Sequence, residues 1–179
     1  MKDRWISGLR EATIGGRTGQ EFLRDVQAAA NDMRGRGAVF VQARTKYEQT
    51  VHIIAALHTK RTAIPLCDDY GEARNREIRA QFSEEQPPKE MAVILFTSGT
   101  SGAPKGVMLT RRALVRNIRA MKKYMGERKR TIFIFRPLIH SAVFTGELLY
   151  ALVNGWNIVF WDVPFLPAQI VGRVMASGA

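Results

Sequence analysis

The chain has 179 residues, of which 46% are apolar and 24% are charged, and its formal net charge is +11. This length and balance are typical of a globular domain with a substantial hydrophobic core. No apolar run reaches the roughly 20 residues that cross a bilayer, and the N-terminus lacks the apolar segment of a signal peptide. A single cysteine, Cys67, excludes an internal disulfide framework. We therefore expect a cytoplasmic protein without a membrane span.

The first half of the chain alternates apolar runs with segments of helical spacing. The predicted helices are 21–34, 47–59 and 71–82, and the predicted strands are 38–41, 63–66 and 91–96. Gly35 and Gly37 end the first helix, and Pro65 marks the end of the second strand.

The same alternation continues in the second half. The predicted strands are 107–109, 131–135 and 157–161, and the predicted helices lie within 111–130 and at 141–153 and 166–176. Thr110 is the expected N-cap of the first of these helices, and Asn154-Gly155 ends the second. Strands that alternate with helices of this length predict an α/β fold, with layered βαβ units on a mainly parallel sheet.

A loop rich in glycine and hydroxyl side chains follows the predicted strand at 91–96. It comprises Thr97, Ser98, Gly99, Thr100, Ser101, Gly102, Ala103, Pro104, Lys105 and Gly106. Glycine permits positive φ and a close approach of the backbone to a ligand, and successive backbone N–H groups form an anion-binding concavity. The hydroxyls add neutral donors and Lys105 adds a positive charge, so the segment predicts a polyphosphate-binding surface. It matches neither the Walker pattern, in which the lysine follows the last glycine, nor the dinucleotide fingerprint.

Residues 96–107 resemble the signature loop of the adenylate-forming superfamily, which includes acyl-CoA synthetases, luciferases and the adenylation domains of peptide synthetases. A second motif supports the resemblance, because Pro137-Leu138-Ile139-His140 follows a predicted strand as the P-L-x-H motif does in acyl-CoA synthetases. The similarity extends over residues 18–174 and implies one partial large domain spanning 1–179, with the phosphate loop at 97–106 and the histidine motif at 136–141. It implies an N-terminal portion only, because the family's adenine, ribose and catalytic-lysine motifs would lie beyond residue 179.

The resemblance implies an ATP-dependent ligase that converts a small carboxylic acid into an acyl-adenylate. A thioester would then form with coenzyme A or with the pantetheine of a carrier protein, and Mg²⁺ would accompany the ATP. Within the loop, the resemblance implies that the hydroxyl donors are Thr97, Ser98, Thr100 and Ser101. The glycines that allow close backbone approach are Gly99, Gly102 and Gly106. Pro104 would restrict the turn, and Lys105 would pair with phosphate. His140 resembles the family residue near the acyl carboxylate and is the candidate catalytic residue. Glu147 could face the same site. No metal ligand from the protein is expected.

Two other functions remain open at this stage. One is a non-catalytic nucleotide- or acyl-binding module of the same fold, with a carrier protein or the absent C-terminal part as partner. The other is a basic polyanion-binding protein, suggested by the net charge of the chain and by the basic stretch at 111–130. Nucleic acid is an unlikely partner, because the chain has no nucleic-acid-binding module and no aromatic residues interleaved with the basic ones.

Overall fold

A computed structural model describes residues 9–33, 35, 37–68, 71–82, 87–97, 104–126, 128–163 and 167–178. Within these ranges the chain forms strands β1 (Thr13–Ile14), β2 (Arg17–Thr18), β3 (Ala38–Val41), β4 (Thr62–Pro65), β5 (Met91–Thr97), β6 (Lys105–Thr110), β7 (Thr131–Ile134) and β8 (Asn157–Phe160). The α-helices are α1 (Gly19–Asp32), α2 (Lys46–His58), α3 (Gly71–Gln81), α4 (Arg111–Met125), α5 (Tyr150–Asn154) and α6 (Pro167–Ser177). A 3₁₀ turn at Leu9–Glu11 precedes β1, and a π-helix at Ala142–Leu149 leads into α5.

The strands form two four-stranded sheets. The first sheet has the order β2-β1-β8-β7, and the second has the order β3-β4-β5-β6. Neighbouring strands are parallel at β1–β8 and β7–β8 in the first sheet and at β3–β4 and β4–β5 in the second. The pairs β1–β2 and β5–β6 are antiparallel hairpins. The predicted α/β class with parallel strands is confirmed, and the strands divide between two mixed sheets.

Side-chain hydroxyls begin three of the helices. The Thr18 side chain accepts a hydrogen bond from the Glu21 backbone N–H, and the Glu21 carboxylate accepts one from the Thr18 backbone N–H, so the pair forms a capping box. The Thr45 side chain accepts from the Glu48 backbone N–H at the start of α2. Thr110 accepts from the Ala113 N–H at the start of α4, which confirms the predicted cap.

The larger hydrophobic core lies among α1, α2, α4, the π-helix, α5 and both sheets. Its largest fully buried side chains include Phe22, Phe144, Tyr150 and Trp156. A smaller cluster on the other face of the second sheet contains Ile64, Ile94 and Phe96, against which Ile78 of α3 packs. Because alternate residues of a strand point to opposite faces, β5 contributes to both cores. Within the described residues no helix combines the length and apolarity that crossing a bilayer requires.

Three features of this fold differ from the sequence-based expectations. Strand β6 begins at Lys105, two residues before the predicted start, because it pairs with β5 along its whole length. The N-terminal hairpin β1–β2 was not predicted, since strands of two residues carry no periodic signal. The predicted apolar helix at 141–153 is a π-helix followed by a short α-helix, which ends at the left-handed Gly155.

Candidate functional site

The predicted phosphate loop connects the two strands of the β5–β6 hairpin. Thr97 is the last residue of β5 and lies directly across from Lys105, the first residue of β6, and both are exposed. Since β5 is parallel to β4, Thr97 lies at the same edge of the second sheet as the carboxyl end of β4. We call the paired residues Thr97 and Lys105 the hairpin neck. Ligands in α/β proteins commonly bind outside the carboxyl ends of parallel strands, so the hairpin neck is suitably placed for a ligand.

The hairpin neck itself is well defined on the β6 side. Pro104 is half-buried and immediately precedes Lys105. Gly106 pairs with Phe96, and a Cβ atom at Gly106 would lie 3.0 Å from Ile94 Cγ2 and 3.2 Å from the Phe96 ring. Close packing against β5 therefore explains this glycine without any ligand. Six further residues of the predicted loop lie outside the described residues: Ser98, Gly99, Thr100, Ser101, Gly102 and Ala103.

A second cation reaches the hairpin neck from α3. Arg74 Nη2 donates a hydrogen bond to the Thr97 backbone carbonyl over 3.2 Å, and Arg74 Nη1 lies 3.9 Å from Glu77 Oε2. Only 18% of the Arg74 side chain is exposed. Helix α3 covers the face of the second sheet that carries Ile94 and Phe96. Thr97 lies on the opposite face, because alternate residues of a strand point to opposite faces, and Lys105 shares that face because it pairs with Thr97. Cations from both faces of the sheet therefore converge on the neck, and the sequence alone gave no reason to single out Arg74.

His140 lies in a tight turn after β7. Its backbone N–H donates to the Pro137 carbonyl over 3.3 Å, and its own carbonyl accepts from the Phe144 N–H over 2.8 Å. The side chain is exposed, and the π-helix begins two residues later. π-Helical turns are rare and frequently occur at functional sites, so the π-helix, together with the His140 motif, favours a functional role for this turn.

An ion pair connects the same turn to the π-helix. Arg136, which precedes Pro137, donates to Glu147 near the end of the π-helix. Glu147 is half-buried and Arg136 is exposed. Sequence reasoning considered Glu147 as a residue facing the site but did not identify Arg136 as its partner.

A cleft of about 750 Å³ opens at the carboxyl ends of four parallel strands, where the two sheets meet. The residues that follow these strands line it, including Arg44 after β3, Cys67 after β4, Arg136 after β7 and Asp162 after β8. At its wall the start of α2 is bonded to the residues that follow β8. Asp162 Oδ1 accepts from the Lys46 backbone N–H over 2.8 Å, and Lys46 Nζ donates to the Trp161 carbonyl over 2.5 Å and lies 3.4 Å from Asp162 Oδ1.

A second cleft of about 700 Å³ lies beside the β1–β2 turn and is lined by a half-buried polar contact. Tyr47 donates its hydroxyl proton to Asp25 Oδ2 over 2.6 Å, and Arg17 lies 5.2 Å above the Tyr47 ring. Burial, and then the hydrogen bond to Asp25, raise the pKa of the Tyr47 hydroxyl well above its ordinary value. The tyrosine therefore stays neutral and holds α1 against α2.

No group of three or more His, Cys, Asp and Glu side chains in the described part of the chain is arranged to hold a metal ion. The donors at the hairpin neck are a hydroxyl, a lysine and an arginine, which suit an anion. A polyphosphate with its own Mg²⁺ fits these donors, because the phosphate oxygens would supply the metal ligands.

Comparison with known proteins decides the family. A model of the AMP-binding enzyme family matches residues 25–176, which is most of the chain. The chain belongs to this family. The adenylate-forming resemblance drawn from the phosphate loop and the His140 motif is thereby confirmed.

Individual relatives agree with this assignment. A 4-coumarate–CoA ligase-like protein of Arabidopsis thaliana is 37% identical over 70 residues, which cover 39% of this chain and 12% of that protein. A medium-chain-fatty-acid–[acyl-carrier-protein] ligase of Teredinibacter turnerae is 26% identical over 129 residues, covering 67% of this chain and 20% of that protein. The structure of O-succinylbenzoate coenzyme A synthetase from Bacillus subtilis, in complex with AMP, has the same fold. It superposes with a TM-score of 0.77 at 15% identity over 97% of this chain and 58% of its own. The chain thus spans somewhat more than half of this solved relative, and the two alignments cover a fifth or less of the curated ones.

Proposed function

We propose that this chain carries the phosphate-binding hairpin of a ligase that activates a small carboxylic acid with ATP. The observation that supports this most directly is the pairing of Thr97 with Lys105 at the neck of the predicted phosphate loop. The family assignment makes an AMP-forming reaction the natural chemistry, and the Bacillus subtilis synthetase has been solved in complex with ATP and a magnesium ion.

In the proposed reaction a carboxylate oxygen attacks the α-phosphorus of ATP. A new P–O bond forms, the bond to the bridging oxygen breaks, and pyrophosphate leaves with the bonding electron pair. Negative charge grows on the pyrophosphate, so cations and N–H or O–H donors fixed around it lower the barrier. Lys105 and the loop hydroxyls of Thr97, Ser98, Thr100 and Ser101 would do this, and bound Mg²⁺ would neutralise further charge.

His140 is the proposed contact for the carboxylate that is activated. It lies at the carboxyl end of β7, beside Arg136 and Pro137, which line the cleft between the two sheets. The thiol acceptor of the second step is proposed to be coenzyme A or a carrier-protein pantetheine. The names of the relatives include both kinds of acceptor.

A competition experiment tests this proposal with the full chain. Binding of Mg·ATP is measured by equilibrium dialysis, with pyrophosphate or adenosine added as competitor. Because the described cations converge on the hairpin neck, we expect pyrophosphate to displace ATP and adenosine to leave it bound. Displacement by adenosine alone, or no ATP binding, would contradict the proposal, and acyl-adenylate formation by this chain alone would show that it carries more of the machinery than proposed.

A further inference from the structure

The exposed side of α4 carries a row of cations that the phosphate site does not use. Arg112, Arg116, Arg119 and Lys123 recur at intervals of four, three and four residues, and all four are exposed. At 3.6 residues per turn they lie within an arc of about 60° and extend for roughly 17 Å along the helix. Leu114 and Ile118, on the other side, are buried in the larger core. We call these four residues the basic row.

Within the described residues the basic row has no internal counter-charge. None of its four side chains makes a hydrogen bond or ion pair there, and the sequence contains no aspartate or glutamate between Glu90 and Glu127. Cations elsewhere in the described chain do find acidic partners, as in the pairs Arg17–Asp25, Lys46–Asp162, Lys129–Glu11 and Arg136–Glu147. Arg111, next to the row, donates to the Arg61 and Met91 carbonyls and belongs to the fold.

This arrangement is unfavourable for the isolated helix. Like charges four residues apart repel, and Arg112 places a cation in the first turn, where the helix dipole favours anions. A regular row of this kind is therefore better explained by an external anionic partner than by helix stability or solubility, for which scattered charges of both signs serve better.

We propose that the basic row docks an acidic helix of a protein partner, and that this partner is the carrier protein whose pantetheine accepts the acyl group. The proposal rests on the proposed function. Carboxylates with the same helical spacing would match the row over its whole length, and a Teredinibacter turnerae relative acts, by name, on an acyl-carrier-protein.

Other occupants fit the row less well. Membrane insertion would need the apolar side of α4, which is buried in the core. A second copy of the chain carries the same net charge of +11 and would be repelled. Nucleic acid fits less well because the row is only one cation wide. Tyr124 is also the only large apolar or aromatic side chain on this helix that is strongly exposed, so there is little surface on which bases could stack.

Direct binding of a purified holo acyl carrier protein to the full chain tests the inference. The dissociation constant is measured for the native chain, for Arg112→Gln/Arg116→Gln, and for the matched control Arg76→Gln/Lys89→Gln, which removes two exposed cations elsewhere. We expect the row variant to weaken binding about tenfold at low salt, the control less than twofold, and both effects to shrink as ionic strength rises. Arg112→Lys/Arg116→Lys should bind like the native chain, since it keeps the charge.

Several outcomes would overturn the inference: absence of carrier binding by the native chain, or equal weakening in the row and control variants. Tighter binding of duplex DNA or of phosphatidylserine vesicles through the same row would also replace the proposed partner class. Mg·ATP binding is measured on each variant in parallel. Retained ATP binding without carrier binding contradicts the inference alone, whereas carrier binding through the row without ATP binding contradicts the proposed function.

Discussion

Single contacts at the hairpin neck describe the part of the proposed phosphate site that lies within the described residues. Thr97 and Lys105 were predicted from the sequence because their residue types suit phosphate, and the strand register places them opposite each other. Arg74 was not predicted, because a helical arginine 23 residues before the loop has no local signal that connects it to Thr97.

Gly106 provides a stability prediction at this scale. Gly106→Ala should lower the free energy of unfolding by about 1–3 kcal/mol, because the new Cβ would lie 3.0 Å from Ile94 in a packed cluster. Gly172→Ala is the matched control, since nothing lies within 4 Å of a Cβ there, and in the middle of α6 it should stabilise by about 0.5–1 kcal/mol. Urea unfolding of both variants measures the difference. An unchanged free energy of unfolding in Gly106→Ala would show that the hairpin accommodates the new Cβ atom without loss of stability.

Tyr47 provides a prediction about pH. Its pKa in the folded state is raised above the unfolded value near 10, so its contribution to stability is complete below about pH 10. That contribution is lost as pH rises from there toward the folded-state pKa. Asp25 and Glu21 also raise the pKa, whereas Arg17 lowers it.

Thermal melting of the native chain and Tyr47→Phe between pH 8 and pH 11 tests this. The melting temperature of the native chain should fall above about pH 10, and that of the variant should fall less over the same range. Parallel curves for the two proteins would mean that deprotonation of Tyr47 is not coupled to unfolding.

At the scale of elements, local patterns predicted most helices and strands to within two residues. The helices α1, α2 and α4 combine a buried stripe with a threonine cap, and both signals are readable in the sequence. The pairing of strands is not readable in this way. Strand β1 pairs with β8 across Ile14 and Ile158, and no local pattern connects segments so distant in the chain. The π-helix was also unpredictable, because an apolar segment satisfies an α- or a π-helical register equally.

Helix α3 is expected to restrain the hairpin through Arg74. Arg74→Gln removes the bond to the Thr97 carbonyl and should accelerate amide hydrogen exchange in the peptide containing Thr97 by about fivefold. Arg76→Gln, an exposed position on the same helix, is the control and should leave the exchange unchanged. Equal exchange in both variants would show that Arg74 does not hold the hairpin neck.

At the scale of the whole molecule, β3 and β4 of one sheet and β7 and β8 of the other present their carboxyl ends to one cleft. The β5–β6 hairpin belongs to the second sheet and the His140 turn follows a strand of the first, and the contacts between Lys46 and Asp162 connect α2 with the end of β8 beside this cleft. Sequence motifs predicted a role for both segments because each motif is a short, local pattern of residue types. Their relative placement depends on the packing of the sheets, which only the structure describes.

The central claim is that the β5–β6 hairpin binds the polyphosphate of ATP, and ligand-induced thermal stabilisation tests it most directly. The melting temperature is measured with and without Mg·ATP for the native chain, for Lys105→Ala, and for Lys89→Ala as an exposed lysine away from the hairpin. We predict that ATP at about 100 times its dissociation constant raises the melting temperature of the native chain and of Lys89→Ala by about 5 °C or more. The rise should fall by at least half in Lys105→Ala, because a charge-assisted phosphate contact is lost. A cooperative transition that ATP does not shift, or an equal shift in Lys105→Ala, would contradict the claim.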